Sequence, residues 1–343
     1  MPSDIATIRT LGGATYLRPN LDDHTLDDNS LEDKCPLDND KHYIDPQYHL
    51  GVLDKLPLEL LCNTLLKTDI RSLTDFRRAN QRAMGVVNPI PEYQLILRNC
   101  PALFRGLLST GLGSNFSCED LLRTLHDYEC ATCGDFAGFV YIITCKRVCF
   151  LCFSERPEYF PLQLTEAERK FCVRRGFFSS LPMLRSIPGL YSPNGNTSRI
   201  RYTLVDPTLA HSLSVKYHGS AQIMEQSVAD AAQRSLEAYS QRLKVQSGKT
   251  VSRRAPNMNS REGRILDPRR FMAIVRVPWI KRLTNTVEWG FHCTGCKKQY
   301  RCRPLHWRRR YCSKTFEHHI AQCGTVENDV HRPSDGMARV PPS

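Results

Sequence analysis

The sequence predicts an α+β fold, and three observations carry that expectation. Leucines recur at helical spacing after Pro57, as Leu58, Leu61 and Leu65. Short β-prone runs stand at residues 139–143, 271–280 and 286–292. Between them, Met224, Val228, Ala232, Leu236, Tyr239 and Leu243 recur every three or four positions and mark a long helix, expected to pack against a sheet.

The 343 residues suffice for two domains, and 41% hydrophobic content can bury a substantial core. No run reaches the roughly 18 uncharged apolar residues of a membrane helix, and residues 1–20 lack a basic start followed by an apolar block. A soluble, unsecreted chain of the cytoplasm and/or nucleus is expected. Fifteen cysteines, an odd number including three Cys-x-x-Cys pairs, point to metal ligation rather than to a disulfide framework. The net charge of +12 is polarised: residues 1–50 carry ten acids against four Lys/Arg, and residues 253–314 carry seventeen Lys/Arg against three acids. A basic block of that kind attracts nucleic acid, acidic partners or counterions.

Residues 1–50 cluster Asp, Asn and Pro with little periodicity and are expected to form a disordered acidic arm. Pro57 suits a first helical position, with Leu60 widening the apolar face of the helix it opens. A second helix is expected from a capping-box-like Ser72 and Asp75, with Leu73 and Phe76 as apolar contacts and Asp69 in the gap. The residues Leu56-Pro57-x-Glu59-Leu60-Leu61, then Asp69 with Ser72-Leu73, then Phe76-Arg77-Arg78-Ala79-Asn80, resemble an F-box, a three-helix unit covering residues 51–96. Thr64 and Thr68 stand where that family usually places aliphatic residues. The resemblance implies docking on a Skp-type adaptor of a cullin ubiquitin ligase, through Leu56, Pro57, Glu59, Leu60, Ile70, Leu73 and Phe76. It further implies that the remaining chain presents a protein substrate for ubiquitination, without catalysis of its own.

Residues 97–246 read as an α+β substrate domain. Short helices are expected at Tyr93–Leu97, Leu103–Leu108 and Cys118–His126, and a further one at Thr165–Phe178 opened by a Thr165/Glu168 capping box. Ile200–Val205 and Leu213–Tyr217, flanking Asp206-Pro207, read as two strands. Residues 247–268 read as a linker, 269–324 as a small basic module with a hairpin around Lys281-Arg282-Leu283, and 325–343 as a tail. No repeat of 20–50 residues is visible, so leucine-rich repeats or propeller blades are not expected.

Cys130-x2-Cys133, fifteen residues, then Cys149-x2-Cys152 is the spacing of a four-thiolate structural zinc site. Two intervening residues let each pair of sulfurs converge, and Gly134 permits the turn that follows. Cys145 and Cys172 are alternative ligands ranked below the paired set, and the βαβ context of a redox Cys-x-x-Cys is missing. A second site is expected from Cys293, Cys296, His319 and Cys323, because on a helix His319 and Cys323 share a face whereas His318 points elsewhere. Cys302 and Cys312 are spare there. Arg301, Arg303, Trp307, Arg308, Arg309 and Arg310 interleave cations with an aromatic, as single-stranded nucleic-acid surfaces do, so a zinc-dependent nucleic-acid-binding protein is the alternative to the substrate receptor. No Gly-rich phosphate loop, His-Glu-x-x-His motif or Gly-x-Ser-x-Gly elbow points to an enzyme.

Overall fold

The computed structural model describes residues 13–17, 23–35, 37, 48–192, 195–245, 267–297 and 305–332. A run of helices precedes short antiparallel strands and further helices, as an α+β chain has it. The acidic N-terminal segment is ordered where described. It contributes β1 (Thr15–Tyr16), a 3₁₀ turn at Leu26–Asp28 and helix α1 (Leu31–Lys34). This departs from the expected disordered arm, and charge is the reason. Asp27 and Asp28 pair with Arg276, and Asp23 pairs with Arg308, so the acidic segment is neutralised by the basic block far along the chain. Leu26, Leu31 and Leu37 then enter the core.

Helices α2 (Leu58–Lys67), α3 (Ile70–Ala79) and α4 (Gln81–Val87) follow. Pro57 is the cap rather than the first helical residue of α2. Asp69, not Ser72, caps α3, its carboxylate accepting from the Ser72 backbone N–H at 2.9 Å. Helices α5 (Pro91–Asn99) and α6 (Pro101–Thr110) each begin at a proline, which loses no hydrogen bond at that position. Helix α7 (Cys118–His126) has the predicted bounds, and Ser117 and Asp120 close a reciprocal capping box. In α6, Gly106 leaves room for Leu26 and Val275 to reach the helix backbone. One core runs through these helices and on to Ile280, crossing the boundary expected at residue 96.

The sheet at the centre of that core has the order β3-β2-β9, antiparallel throughout, formed by β2 (Phe139–Tyr141), β3 (Lys146–Val148) and β9 (Ile274–Arg276). Residues on both sides of the expected linker therefore share one sheet. Helix α8 (Phe150–Glu155) leaves β3 directly. A second, smaller core gathers around β4 (Leu162–Gln163), helix α9 (Leu164–Phe171), β5 (Met183–Arg185) and β8 (Thr203–Val205), with strand order β4-β8-β5. The hairpin β6 (Gly189–Tyr191) and β7 (Asn196–Ser198) lies between β5 and β8 in sequence.

Three sequence expectations are corrected in this part. Helix α9 is capped by Gln163 and Glu166 rather than by Thr165 and Glu168, and it stops at Cys172, which adopts the left-handed conformation. Leu213–Tyr217 is not a strand but part of helix α10 (Pro207–His218), because Asp206 caps it, accepting from the Leu209 N–H at 2.7 Å, and Pro207 opens it. The long helix α11 (Ala221–Val245) packs on α9 and α10 rather than on a sheet.

Beyond it come α12 (Pro268–Met272), then β9, and the hairpin of β10 (Trp279–Ile280) and β11 (Val287–Glu288), which turns at Lys281–Thr286 as expected. Strand β12 (His292–Cys293) pairs with β1, with Thr15 opposite Cys293 and Tyr16 opposite His292. Helix α13 (Ser313–Cys323) precedes a final hairpin, β13 (Thr325–Glu327) and β14 (Val330–Arg332), where a tail was expected. Asn328 and Asp329 both take positive φ in its turn, a conformation these two residues tolerate better than most.

Candidate metal centres

The first cluster is assembled by the β2–β3 hairpin. Cys130 and Cys133 stand on the turn before β2, and Gly134 leaves that turn at φ +77°. The Gly134 N–H returns to the Cys130 carbonyl at 3.0 Å, and the Ala131 N–H reaches the Arg147 carbonyl of β3 at 2.9 Å, tying the two cysteine pairs together. Cys149 caps α8 and Cys152 lies in its first turn. The Cys149 N–H points at the Cys130 sulfur at 3.3 Å and the Cys152 N–H at the Cys149 sulfur at 3.4 Å, so backbone donors stabilise negative charge on the thiolates.

All four sulfurs lie within 4.8 Å of one another, and those of Cys133 and Cys149 are 3.6 Å apart. A tetrahedron with metal–sulfur bonds of about 2.3 Å has edges of about 3.8 Å, so this spacing suits a tetrahedral ion. Without a cation the four thiols oppose one another: the neighbouring Cys133 sulfur drives Cys130 toward ionisation, and Cys130 in turn drives Cys149 and Cys152 away from it. A divalent ion would remove the conflict by stabilising all four thiolates. Cys145 and Cys172 are outside the cluster. Burial pushes the Cys145 thiol up to about 11, against a contact with the Thr124 hydroxyl that lowers it.

Arg147 braces the hairpin from within. Its guanidinium is buried and donates to the carbonyls of Ala137, Thr124, Leu125 and Pro278 at 2.7–3.3 Å, joining α7, the start of β2 and the approach to β10.

The second cluster comprises Cys293, Cys296, His319 and His331. The Cys296 sulfur is 3.4 Å from both His319 Nε2 and His331 Nε2, and Cys293 is 3.4 Å from His331 Nε2. Metal–sulfur bonds of about 2.3 Å and metal–nitrogen bonds of about 2.0 Å give mixed edges of about 3.5 Å. His319 faces the cluster from α13 as the helical spacing predicted, while the exposed His318 bonds Gln322.

Cys323 is corrected: it ends α13 outside the cluster, and β14 supplies His331 in its place. Gly324 lets the chain double back, and its carbonyl accepts from His331 Nδ1 at 3.0 Å, which leaves Nε2 free to ligate. Gly295 lies under the ring, where an added Cβ would come 2.8 Å from His331 Cδ2. Tyr311 stacks on His319 with centroids 4.4 Å apart. His306 is buried with its Nε2 3.7 Å from the Cys296 sulfur, a second neighbour that spacing had not suggested. Both clusters could hold a metal ion and are compatible with zinc.

Among the described residues, Arg308 and Arg309 do not form an open cationic face. Arg308 is buried, pairs with Asp23 and stacks 3.5 Å over Phe150, and Arg309 pairs with Asp135. Arg310 lies 4.8 Å over Phe139, and Trp307 is half-buried. Arg301 and Arg303 lie outside the described residues.

Of the residues assigned to adaptor docking, Leu56, Pro57, Glu59 and Leu60 are on the surface, whereas Ile70 and Leu73 are wholly buried and Phe76 is half-buried. Ile70 and Leu73 therefore hold the helical unit together rather than offering contacts. The chain matches no protein-family model, no curated protein and no solved structure.

Proposed function

We propose that the chain is a substrate receptor of a Skp-cullin-F-box ubiquitin ligase, in which α2 to α4 and the turn before them dock on the adaptor. The observation that carries this reading is a run of exposed apolar side chains. Leu58 and Leu60 are 61% and 55% exposed, and Val52, Leu53 and Leu56 lie beside them in sequence, also exposed. Leu61 and Leu65 of the same helix face the core, so α2 is apolar on both sides. A patch of that kind on a folded surface marks an interaction site. The two clusters are proposed to hold one zinc each, stiffening the part that receives a protein substrate in the cytoplasm or nucleus. The nucleic-acid alternative has less support, since Arg308 and Arg309 are engaged inside the protein.

The test is co-purification of the full chain with a Skp-type adaptor and cullin. Exchanging Leu58 and Leu60 together for Asp should reduce adaptor binding at least about a hundredfold, because two central anchors are typically worth 2 kcal/mol or more each. Zinc content and melting should remain those of the parent. An adaptor that never co-purifies, or that binds the double variant equally, sinks the proposal.

A further inference from the structure

Away from both metal clusters, cations gather where α9, α10 and α11 pack together. The segment 169–175 carries Arg169, Lys170, Arg174 and Arg175, all exposed. Lys216 in the last turn of α10 and Arg234 in the middle of α11 are exposed as well. Contacts join them into one face. His218 Nε2 is 3.0 Å from the Phe171 carbonyl, and Lys170 lies 5.8 Å over the Phe171 ring. Burial raises the Cys172 thiol and the charge of Arg234 opposes it, which sets that guanidinium beside the end of α9.

Most of these cations are not used by the fold. Arg175 pairs with Glu168 at 3.6 Å, but among the described residues Arg169, Arg174, Lys216 and Arg234 form no ion pair. Arg169, Lys170 and Lys216 lie in last helical turns, where the helix dipole favours a cation. Arg174 lies past the end of α9 and Arg234 is far from either end of α11, so dipoles do not account for them. Unpaired like charges held close together raise the local potential and attract a polyanion.

Two aromatic rings stand among the charges. Phe177, in a 3₁₀ turn at Arg175–Ser180, meets Tyr217 edge to face with centroids 4.8 Å apart. The rings remain 39% and 51% exposed. Tyr217 follows Lys216 directly, and Phe177 lies two residues after Arg175. A strand with unstacked bases matches both features, offering repeated phosphates to the separated cations and flat rings to the aromatics. An acidic peptide offers only the charges, and a duplex keeps the faces of its bases stacked.

We infer that this face binds single-stranded nucleic acid, with phosphates on Arg169, Arg174, Lys216 and Arg234 and a base stacked on the Phe177–Tyr217 pair. It uses none of the C-terminal arginines and is independent of adaptor docking.

Fluorescence anisotropy of labelled oligouridylate and oligothymidylate, titrated with the full chain, tests the assignment. Combining Arg169→Gln, Arg174→Gln and Lys216→Gln should weaken binding about tenfold or more at about 50 mM salt, and flatten the slope of log affinity against log salt by about two. A charge-matched control, with Lys67, Arg98 and Arg123 each changed to Gln, should keep the affinity of the parent to within about twofold. Tyr217→Ala should weaken binding about fivefold or more with the salt slope unchanged, and Tyr217→Trp should restore it. Melting and zinc content should match the parent in every variant. Binding of either oligomer with those losses supports the inference, and their ratio shows whether the 2′-hydroxyl is read. Failure of both oligomers to bind at about 50 mM salt, a triple variant no weaker than the control, or indifference to Tyr217→Ala and Phe177→Ala alike overturns it. So does equal affinity for a duplex, or displacement of the oligomer by polyglutamate at equal charge concentration, which assigns the face to a protein partner. The Leu58/Leu60 double variant should bind the oligomers normally, so loss of adaptor docking and loss of nucleic-acid binding are separate failures.

Discussion

Replacing His331 with Ala should eject the second metal ion, whereas replacing Cys323 with Ala should not. Structural zinc in small modules contributes about 10–16 kcal/mol of apparent binding energy. Shared over four ligands, that is about 2.5–4 kcal/mol each, or a loss of roughly two to three orders of magnitude in affinity. His331 supplies one of the four ligand atoms and is held by the Gly324 carbonyl, whereas His306, though 3.7 Å from the Cys296 sulfur, is not among the four. Cys323 lies at the end of α13, outside the cluster. The assay is competition of the purified full chain against a chromophoric chelator, read as zinc released per chain. The parent and Cys323→Ala should hold two ions at a chelator concentration at which His331→Ala holds one. If Cys323→Ala loses the second ion and His331→Ala keeps it, the ligand assignment is wrong. If neither variant changes the stoichiometry, the cluster is not a metal centre.

Other expectations follow from single contacts. Gly295→Ala should loosen the same ion about 10–100-fold without removing any ligand, because the new methyl displaces the His331 ring; chelator competition that matches the parent would refute the close approach. Arg276→Gln should cost about 1–3 kcal/mol by releasing Asp27 and Asp28, and hydrogen exchange at residues 23–35 should quicken while α7 stays protected. Arg147→Met should be more damaging, by about 3 kcal/mol or more, since four buried carbonyls lose their donor at once; a melting temperature close to the parent's would show that other groups satisfy them.

Local signals in the sequence reached far into the structure. Cys118–His126 had a complete helical pattern and folds within those limits, and the paired cysteines at 130/133 and 149/152 converge because both ends of a short hairpin carry them. What escaped was long-range or ambiguous. Asp206-Pro207 suits a turn between strands and equally a helix cap followed by a first-turn proline, and only the packing of α10 on α9 decides between them. His331 carried a signal of its own, since Val326 and Val330 flank an Asn328-Asp329 turn, but short polar hairpins resemble tails when read without their partner. Arg308 and Arg309 looked like part of a solvent-facing patch because their acids, Asp23 and Asp135, are remote in sequence.

The pairing of β1 with β12, and of Asp23 with Arg308 across 285 residues, has a consequence for biogenesis. At a synthesis rate of about 5–20 residues per second, the N-terminal strand waits roughly 14–57 seconds for its partner to be made. During that interval Leu26 and Leu31 have the α6 helix as a surface, but Asp23, Asp27 and Asp28 lack the Arg276 and Arg308 with which they pair in the fold. The late arrival of Arg276 and Arg308 then acts as a latch, so that the N-terminal segment reports completion of the basic region rather than of the domain it first touches.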